Sequence, residues 1–268
     1  MTKPTSNIRI GIGGWTYEPW RGVFYPKGLA QKRELAYASE RLTSIEINGT
    51  FYGSQKRESF AKWRDETPDD FIFAVKGPRF ATNRRQLSEA GASIERFLTG
   101  GVTELKHKLG PINWQFAATK TFDPVDFEAF LKLLPQRADG LSLRHAVEVR
   151  HKSFKAPDFI ALARQYGAAI VTAADSDYPQ IGDSTAAFVY ARIMGTLEAE
   201  RAGYSDRDLD KWVERARAWA SGAMPDDIKT VLPAPAASAP REVFLYVISG
   251  FKERNPAAAM ALIERLRR

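Results

Sequence analysis

The chain of 268 residues contains no cysteine and only three histidines. Without cysteine there is no disulfide framework, no thiolate nucleophile and no cysteine metal site. His107, His145 and His151 form no HxH or HExxH pattern, so a zinc centre built from many His and carboxylate ligands is not expected. No apolar run approaches the roughly 18 residues that suggest a membrane helix. The opening MTKPTSN has no apolar core of the secretory kind, and no membrane partner is expected. These absences fit a reducing compartment, and a cytoplasmic location is the expectation. Two further signatures are missing: the GxSxG elbow of a serine hydrolase and the GxxxxGK[ST] phosphate loop. Gly11-Ile12-Gly13-Gly14 follows a run of strand character but lacks the spacing of a dinucleotide fingerprint, and no helix opens directly after it.

What the chain does have is eight short apolar runs, most of which stop on a polar or charged residue. In order they are IRIGIGGW (8–15), SIEIN with Glu46 and Asn48, FIFAVK ending at Lys76, INWQF with Gln115, HAVEVR with Glu148 and Arg150, AAIVTAAD ending at Asp175, AFVYAR ending at Arg192, and VFLYVIS ending at Ser249. Stretches of helical character separate most of them: 34–41, 58–66, 93–107, 127–134, 157–166, 205–219 and 256–267. Asp123-Pro124, Ala156-Pro157, Ser205-Asp206 and Asn255-Pro256 place a cap or a proline at the first turn. Eightfold strand-helix alternation predicts an α/β fold, a single (β/α)8 TIM-type barrel domain spanning 1–268. The length suits it, since such barrels run to about 250 residues. Residues 175–184 carry turn chemistry, so the sixth crossover is expected to be degenerate. LPAPAASAP (232–240) reads as a loop before the last strand.

The net charge is +7, and it is unevenly spread. Between residues 71 and 120 stand eight Lys and Arg (Lys76, Arg79, Arg84, Arg85, Arg96, Lys106, Lys108, Lys120) against Glu89, Glu95 and Glu104, an excess of five. Such an excess attracts anionic partners; the structural alternative is a solvated basic face.

Side chains alternate along a strand, so residues two apart share a face. Glu46 shares one with Asn48, Glu148 with Arg150, and Tyr190 with Arg192. A charge on the helix side of a barrel strand would be buried without a partner, at a cost of several kcal/mol. Glu46, Lys76, Gln115, Glu148, Arg150 and Arg192 are therefore expected to converge on the C-terminal mouth, where barrel active sites lie. The alternative is an ion network that only plugs the barrel top.

At these residues the chain resembles a known family. GGWTYEPWRGVFYP (13–26), SIEINGTFYGSQ (44–55), FIFAVKGPRFATN (71–83) and RHAVEVRHKSF (144–154), in that order and spacing, are similar to the domain-of-unknown-function 72 or YecE-like family. The resemblance implies a TIM-type barrel and implies no activity. Two departures from the family pattern stand out. Met194 occupies a position after the seventh strand where relatives usually carry histidine. The run after the eighth strand, Ser249 to Asn255, lacks the usual Asn/Asp richness.

The candidate catalytic residues are Glu148, as general base, with Glu46 and Asp175 as the other carboxylates of a hydrolase or lyase. Lys76, Arg150 and Arg192 are candidates to clamp an anion, the arginines by two parallel hydrogen bonds. Asn48, Arg79 and Gln115 complete the polar substrate-binding set. Trp15, Tyr17 and Tyr52, in aromatic loops with Trp20, Phe24, Tyr25 and Phe51, either stack on a ligand or pack as a lid. No cofactor is expected. Mg²⁺ or Mn²⁺ held by Glu46, Glu148 and Asp175 is the weaker alternative. The favoured reading is an enzyme acting on a small anionic compound, phosphate-bearing or nucleotide-like. The second is a non-catalytic nucleic-acid-binding protein that uses the basic 76–120 region and the aromatic loops. Glycoside hydrolysis by two carboxylates explains neither the three cations nor the basic bias.

Overall fold

A computed structural model describes residues 7–233 and 239–268. Most of MTKPTSN and the centre of the Pro/Ala-rich 232–240 stretch lie outside them. Eight strands close into a parallel barrel: β1 (Ile8–Gly13), β2 (Ser44–Ile47), β3 (Ile72–Lys76), β4 (Leu109–Gln115), β5 (His145–Glu148), β6 (Ala169–Ala174), β7 (Phe188–Ile193) and β8 (Glu242–Val247). Each pairs with its neighbours in sequence, and β8 closes onto β1. The helices on the outside are α1 (Glu34–Ser39), α2 (Arg57–Asp65), α3 (Gly91–Thr99), α4 (Pro124–Lys132), α5 (Pro157–Gln165), α6 (Asp206–Ala220) and α7 (Asn255–Leu266). No helix lies between β6 and β7, where the turn-rich 175–184 segment predicts a degenerate crossover.

Local chemistry sets several helix ends. The Asp123 carboxylate accepts from the N–H groups of Val125 and Asp126 at the start of α4. Ser205 Oγ accepts from Asp208 N at the start of α6. Two helical expectations are corrected. Helix 93–107 breaks after Thr99, because Gly100-Gly101 interrupts it and Gly101 adopts φ +112°; a 3-10 turn, Val102–Lys108, follows. A Cβ at Gly101 would also lie 2.5 Å from Arg57. Asn255 does not cap α7. It is the first helical residue, and its Oδ1 accepts from Thr196 Oγ1 at 2.8 Å.

The core has two layers. Between sheet and helices lies the larger apolar cluster, which includes Ile12, Ile45, Phe73 and Trp114. Inside the barrel, alanines on β3, β5 and β6 (Ala74, Ala146, Ala169, Ala173) face Phe188, Tyr190, Phe244 and Tyr246 from β7 and β8. Small residues on one wall thus accept large rings from the other. β1 approaches β2 so closely that a Cβ at Gly11 would lie 2.0 Å from Ser44 O. Among the described residues no helix is long and apolar enough to cross a membrane.

Candidate functional site at the barrel mouth

Parity and strand ends bring the expected charges together. Arg192, near the end of β7, donates from Nη2 to Glu46 Oε1 at 2.9 Å and from Nη1 to Glu148 Oε2 at 2.6 Å. Arg150, just past β5, donates from both Nε (2.9 Å) and Nη2 (2.7 Å) to Glu148 Oε1. Asn113 Nδ2 bridges the two carboxylates, at 3.1 Å from Glu148 Oε2 and 3.4 Å from Glu46 Oε2. Tyr190 donates its hydroxyl to Glu46 Oε2 at 2.5 Å. Three cations then converge on one neutral oxygen, the side-chain carbonyl of Gln115. Lys76 Nζ donates to it, as do Arg150 Nη2 at 2.9 Å and Arg192 Nη1 at 3.5 Å.

The cluster is stratified. Glu46 and Glu148 are fully buried at 0% exposure, beneath the cations, with their oxygens facing N–H and O–H donors. Lys76, Gln115, Arg150 and Arg192 lie above them and line a cavity of about 600 Å³. Burial alone would raise the Glu148 pKa; Arg192, Arg150 and Lys76 outweigh it and hold the carboxyl down near 2. Burial would lower Arg192, but Glu148 and Glu46 push it above its ordinary value. For Lys76, burial and then Arg192 dominate, and its pKa falls to about 8. Counted by formal charge, the two carboxylates, two guanidinium groups and one ammonium leave the cluster with one uncompensated positive charge.

The cavity's other wall holds Trp15, Trp63, Tyr52, Asn48 and Gln55, with Ser249 and Lys252 from the segment after β8. Trp15 stands edge-on to Trp63 at 5.1 Å. Lys252 adds a fourth cation, 4.0 Å above the Tyr17 ring. The cavity falls within the usual size of small-ligand sites, about 300–1,000 Å³.

Comparison with known proteins places this architecture. The model of the family described as protein of unknown function DUF72 matches residues 9–268. The chain belongs to that family. UPF0759 protein YecE of Escherichia coli (strain K12) is 30% identical over 150 residues, covering 55% of this chain and 50% of YecE. The match thus spans about half the length of that relative. The DUF72 family protein TM1631 of Thermotoga maritima MSB8 superimposes with a TM-score of 0.73 at 21% identity, covering 97% of this chain and 99% of that one. A xylose isomerase-like TIM barrel/4-hydroxyphenylpyruvate dioxygenase fusion protein superimposes at a TM-score of 0.52 and 15% identity, over 97% of this chain and 43% of that chain. At such identities the likeness is one of fold.

Against the DUF72 pattern, Met194 is buried among the apolar side chains of the barrel interior. Of the segment after β8, Ser249, Lys252 and Asn255 reach the cavity. Ser249 has φ +56°, a left-handed conformation that is uncommon outside glycine.

Other expected residues lie elsewhere. Asp175 is not brought to the two glutamates. Its carboxylate accepts from Tyr204 Oη (3.1 Å) and Trp212 Nε1 (3.3 Å) beside a separate cavity of about 310 Å³. The weaker metal reading needed all three carboxylates together, and the described residues contain no group of three or more His, Asp or Glu placed to hold a metal. Tyr17 packs on Trp20 outside the cavity lining, and exposed Arg79 sits near the Tyr52 and Phe80 rings. Trp20, Phe24 and Tyr25 are buried, so only Trp15 and Tyr52 of the aromatic loops face the cavity. His151 is occupied by Ser153, whose N–H it accepts at 3.2 Å. His145 is sandwiched at the strand start between Trp114 Nε1 and Pro135 O.

Sequence reasoning missed Asn113, Tyr178 and Lys252. Asn113 is legible in retrospect, two residues before Gln115 and on its face. Tyr178, which lies under the Arg150 guanidinium at 4.3 Å and accepts from its Nη1 at 3.2 Å, sits in an irregular segment with no periodic signal.

Proposed function

We propose that this chain is an enzyme that binds a small anionic compound, bearing a carboxylate or a phosphate, in the cavity at the barrel mouth. The observation that carries this reading is the convergence of Lys76, Arg150 and Arg192 on the neutral Gln115 oxygen, at the floor of the cavity. An anion there would offset the uncompensated charge in a partly desolvated setting, where Coulombic attraction is stronger than in water. Glu46 and Glu148 act in this reading as positioning residues. They fix both arginines, while their burial and the low pKa of Glu148 remove them from proton transfer to a ligand.

The nucleic-acid alternative finds less support. Not all the cations of 71–120 are available to one basic surface. Lys76 belongs to the mouth. Lys108 is buried against the carbonyl oxygens of Arg64 and Thr67. Lys120 pairs with Asp126 at 2.7 Å, and Arg84 stands 3.8 Å from Glu89.

Thermal-shift screening of phosphorylated and carboxylated metabolites, and of oligonucleotides, tests the choice, because a ligand that binds only the native state raises its stability. Stabilisation by a small anion, lost in the Lys76→Met/Lys252→Met double variant, is expected. Lys76 donates to an amide oxygen and the Lys252 ammonium lies over the Tyr17 and Trp20 rings, so the variant should fold. Stabilisation only by oligonucleotides, unchanged in that variant and abolished by reversing Arg85, Arg96 and Lys106, would establish the alternative.

A further inference from the structure

The geometry points to Lys76 as an amine nucleophile that forms an imine with a small carbonyl compound carrying a carboxylate or phosphate. This deepens the anion-site reading and rests on it. Imine-forming lysines need a neutral amine at working pH, a fixed position and access to substrate, and burial beside other cations is the usual way to supply the first. Lys76 has the position and the access, and its burial beside Arg192 and Arg150 favours the neutral amine. It is the last residue of β3, and its backbone carbonyl is held by Thr50 Oγ1 at 2.7 Å. Its Nζ lies 4.3 Å from the centre of the Phe51 ring and donates to Gln115. Only 6% of the residue is exposed, yet it lines the cavity. Arg192 and Arg150 disfavour its protonation and Glu46 and Glu148 favour it; burial decides the balance.

In the step, the neutral Nζ adds to the carbonyl carbon. A C–N bond forms as the C=O π bond breaks, and a proton lost by the nitrogen ends on the oxygen. The carbinolamine then loses its hydroxyl as water with a second proton, and the nitrogen ends as a protonated imine. Overall, amine, carbonyl compound and one proton give iminium and one water. The iminium is again cationic beside Arg150 and Arg192, so an anionic group on the substrate is what offsets the charge. That requirement selects the anionic class over neutral aldehydes and ketones.

The test is reductive trapping on the wild-type protein. Pyruvate, dihydroxyacetone phosphate and neutral acetone are each supplied with cyanoborohydride, which delivers hydride to the imine carbon, and adducts are mapped by peptide mass spectrometry. The expected result is modification at Lys76 by pyruvate or dihydroxyacetone phosphate at least tenfold faster than at exposed Lys106, with acetone at least tenfold slower at Lys76. Whichever anion reacts faster identifies the carboxylate or the phosphate as the recognised group. Adducts spread over surface lysines with no preference for Lys76 overturn the inference. Equal labelling of Lys76 by acetone overturns the anionic class. If small anions still stabilise the wild type but no Lys76 adduct forms, the anion-site reading stands and the imine falls. If small anions give no stabilisation either, both fall.

Discussion

Arg150 grips a single oxygen of Glu148 with two nitrogens, Nε at 2.9 Å and Nη2 at 2.7 Å, although the two residues are only two apart on one strand end. The other Glu148 oxygen is held by Arg192 and Asn113. The carboxylate is thus surrounded by donors with none of its surface exposed, an arrangement that orients arginines and leaves no path to a ligand.

Replacing Glu148 with Gln should therefore damage stability first. The amide keeps the shape but leaves Arg150 without its carboxylate, and breaking a buried ion pair costs about 3–5 kcal/mol. Urea unfolding should show a loss of that order, partly relieved because Arg192 retains Glu46. A variant of unchanged stability that loses a turnover shown by the wild type would restore Glu148 as the base.

The same carboxylate predicts an acid limb. Its folded pKa, near 2, lies below the ordinary value of 4.5. A group with a depressed folded pKa stabilises the fold above its unfolded value and loses that contribution as pH falls through the folded one. Stability should decline between about pH 4.5 and pH 2, with about 3 kcal/mol coming from Glu148 at 1.36 kcal/mol per pKa unit. The decline should be shallower in Glu148→Gln, measured by denaturant unfolding at stepped pH.

The barrel and its mouth were legible because alternation and strand ends are local properties. Glu148 and Arg150 had to share a face, and the turn-rich 175–184 segment had to fail as a helix. Depth was not legible. Glu46 pairs with Ala74, which leaves Lys76 one inward position further out; Gln115 pairs with Glu148, which leaves Arg150 further out in the same way. Lys76 thus stands one inward position beyond Glu46 on the adjacent strand only because of register, and periodicity does not encode register. Asp175 misled because it too ends a strand, yet its backbone turns to φ +55° and sends the carboxylate toward Tyr204 and Trp212.

The closure of β1 onto β2 depends on a missing side chain. At Gly11 an added methyl would lie 2.0 Å from the backbone oxygen of Ser44 and 2.6 Å from its carbonyl carbon. Backbone cannot move aside as a side-chain tip can. Gly11→Ala should cost at least the roughly 1–3 kcal/mol typical of overpacking, whereas Gly14→Ala meets nothing within 4 Å and is penalised only for its φ of +72°. Paired thermal melts of the two variants should rank Gly11→Ala as the less stable.

Lys76 predicts a rise of stability with pH of the same sign as that from Glu148, but in the alkaline range. Burial, reinforced by Arg192, lowers its folded pKa from 10.5 to about 8. Above pH 8 the folded state sheds the proton while the unfolded chain retains it up to about 10.5, so the unfolded state binds more protons and stability rises with pH across that window. The full effect is about 3 kcal/mol. Buried Tyr190 and Tyr246 oppose it at the upper end, because burial raises their hydroxyl pKa values and ionisation then favours unfolding. The clean interval is therefore pH 8 to about 9.5. There, the wild type should gain stability relative to Lys76→Met as pH rises, and at pH 7 the methionine variant, with one desolvated cation fewer, should be the more stable of the two. A difference that stays constant from pH 7 to 9.5 would mean that the Lys76 amine keeps its ordinary basicity, and the supply of neutral amine needed for imine formation near neutrality would be lost with it.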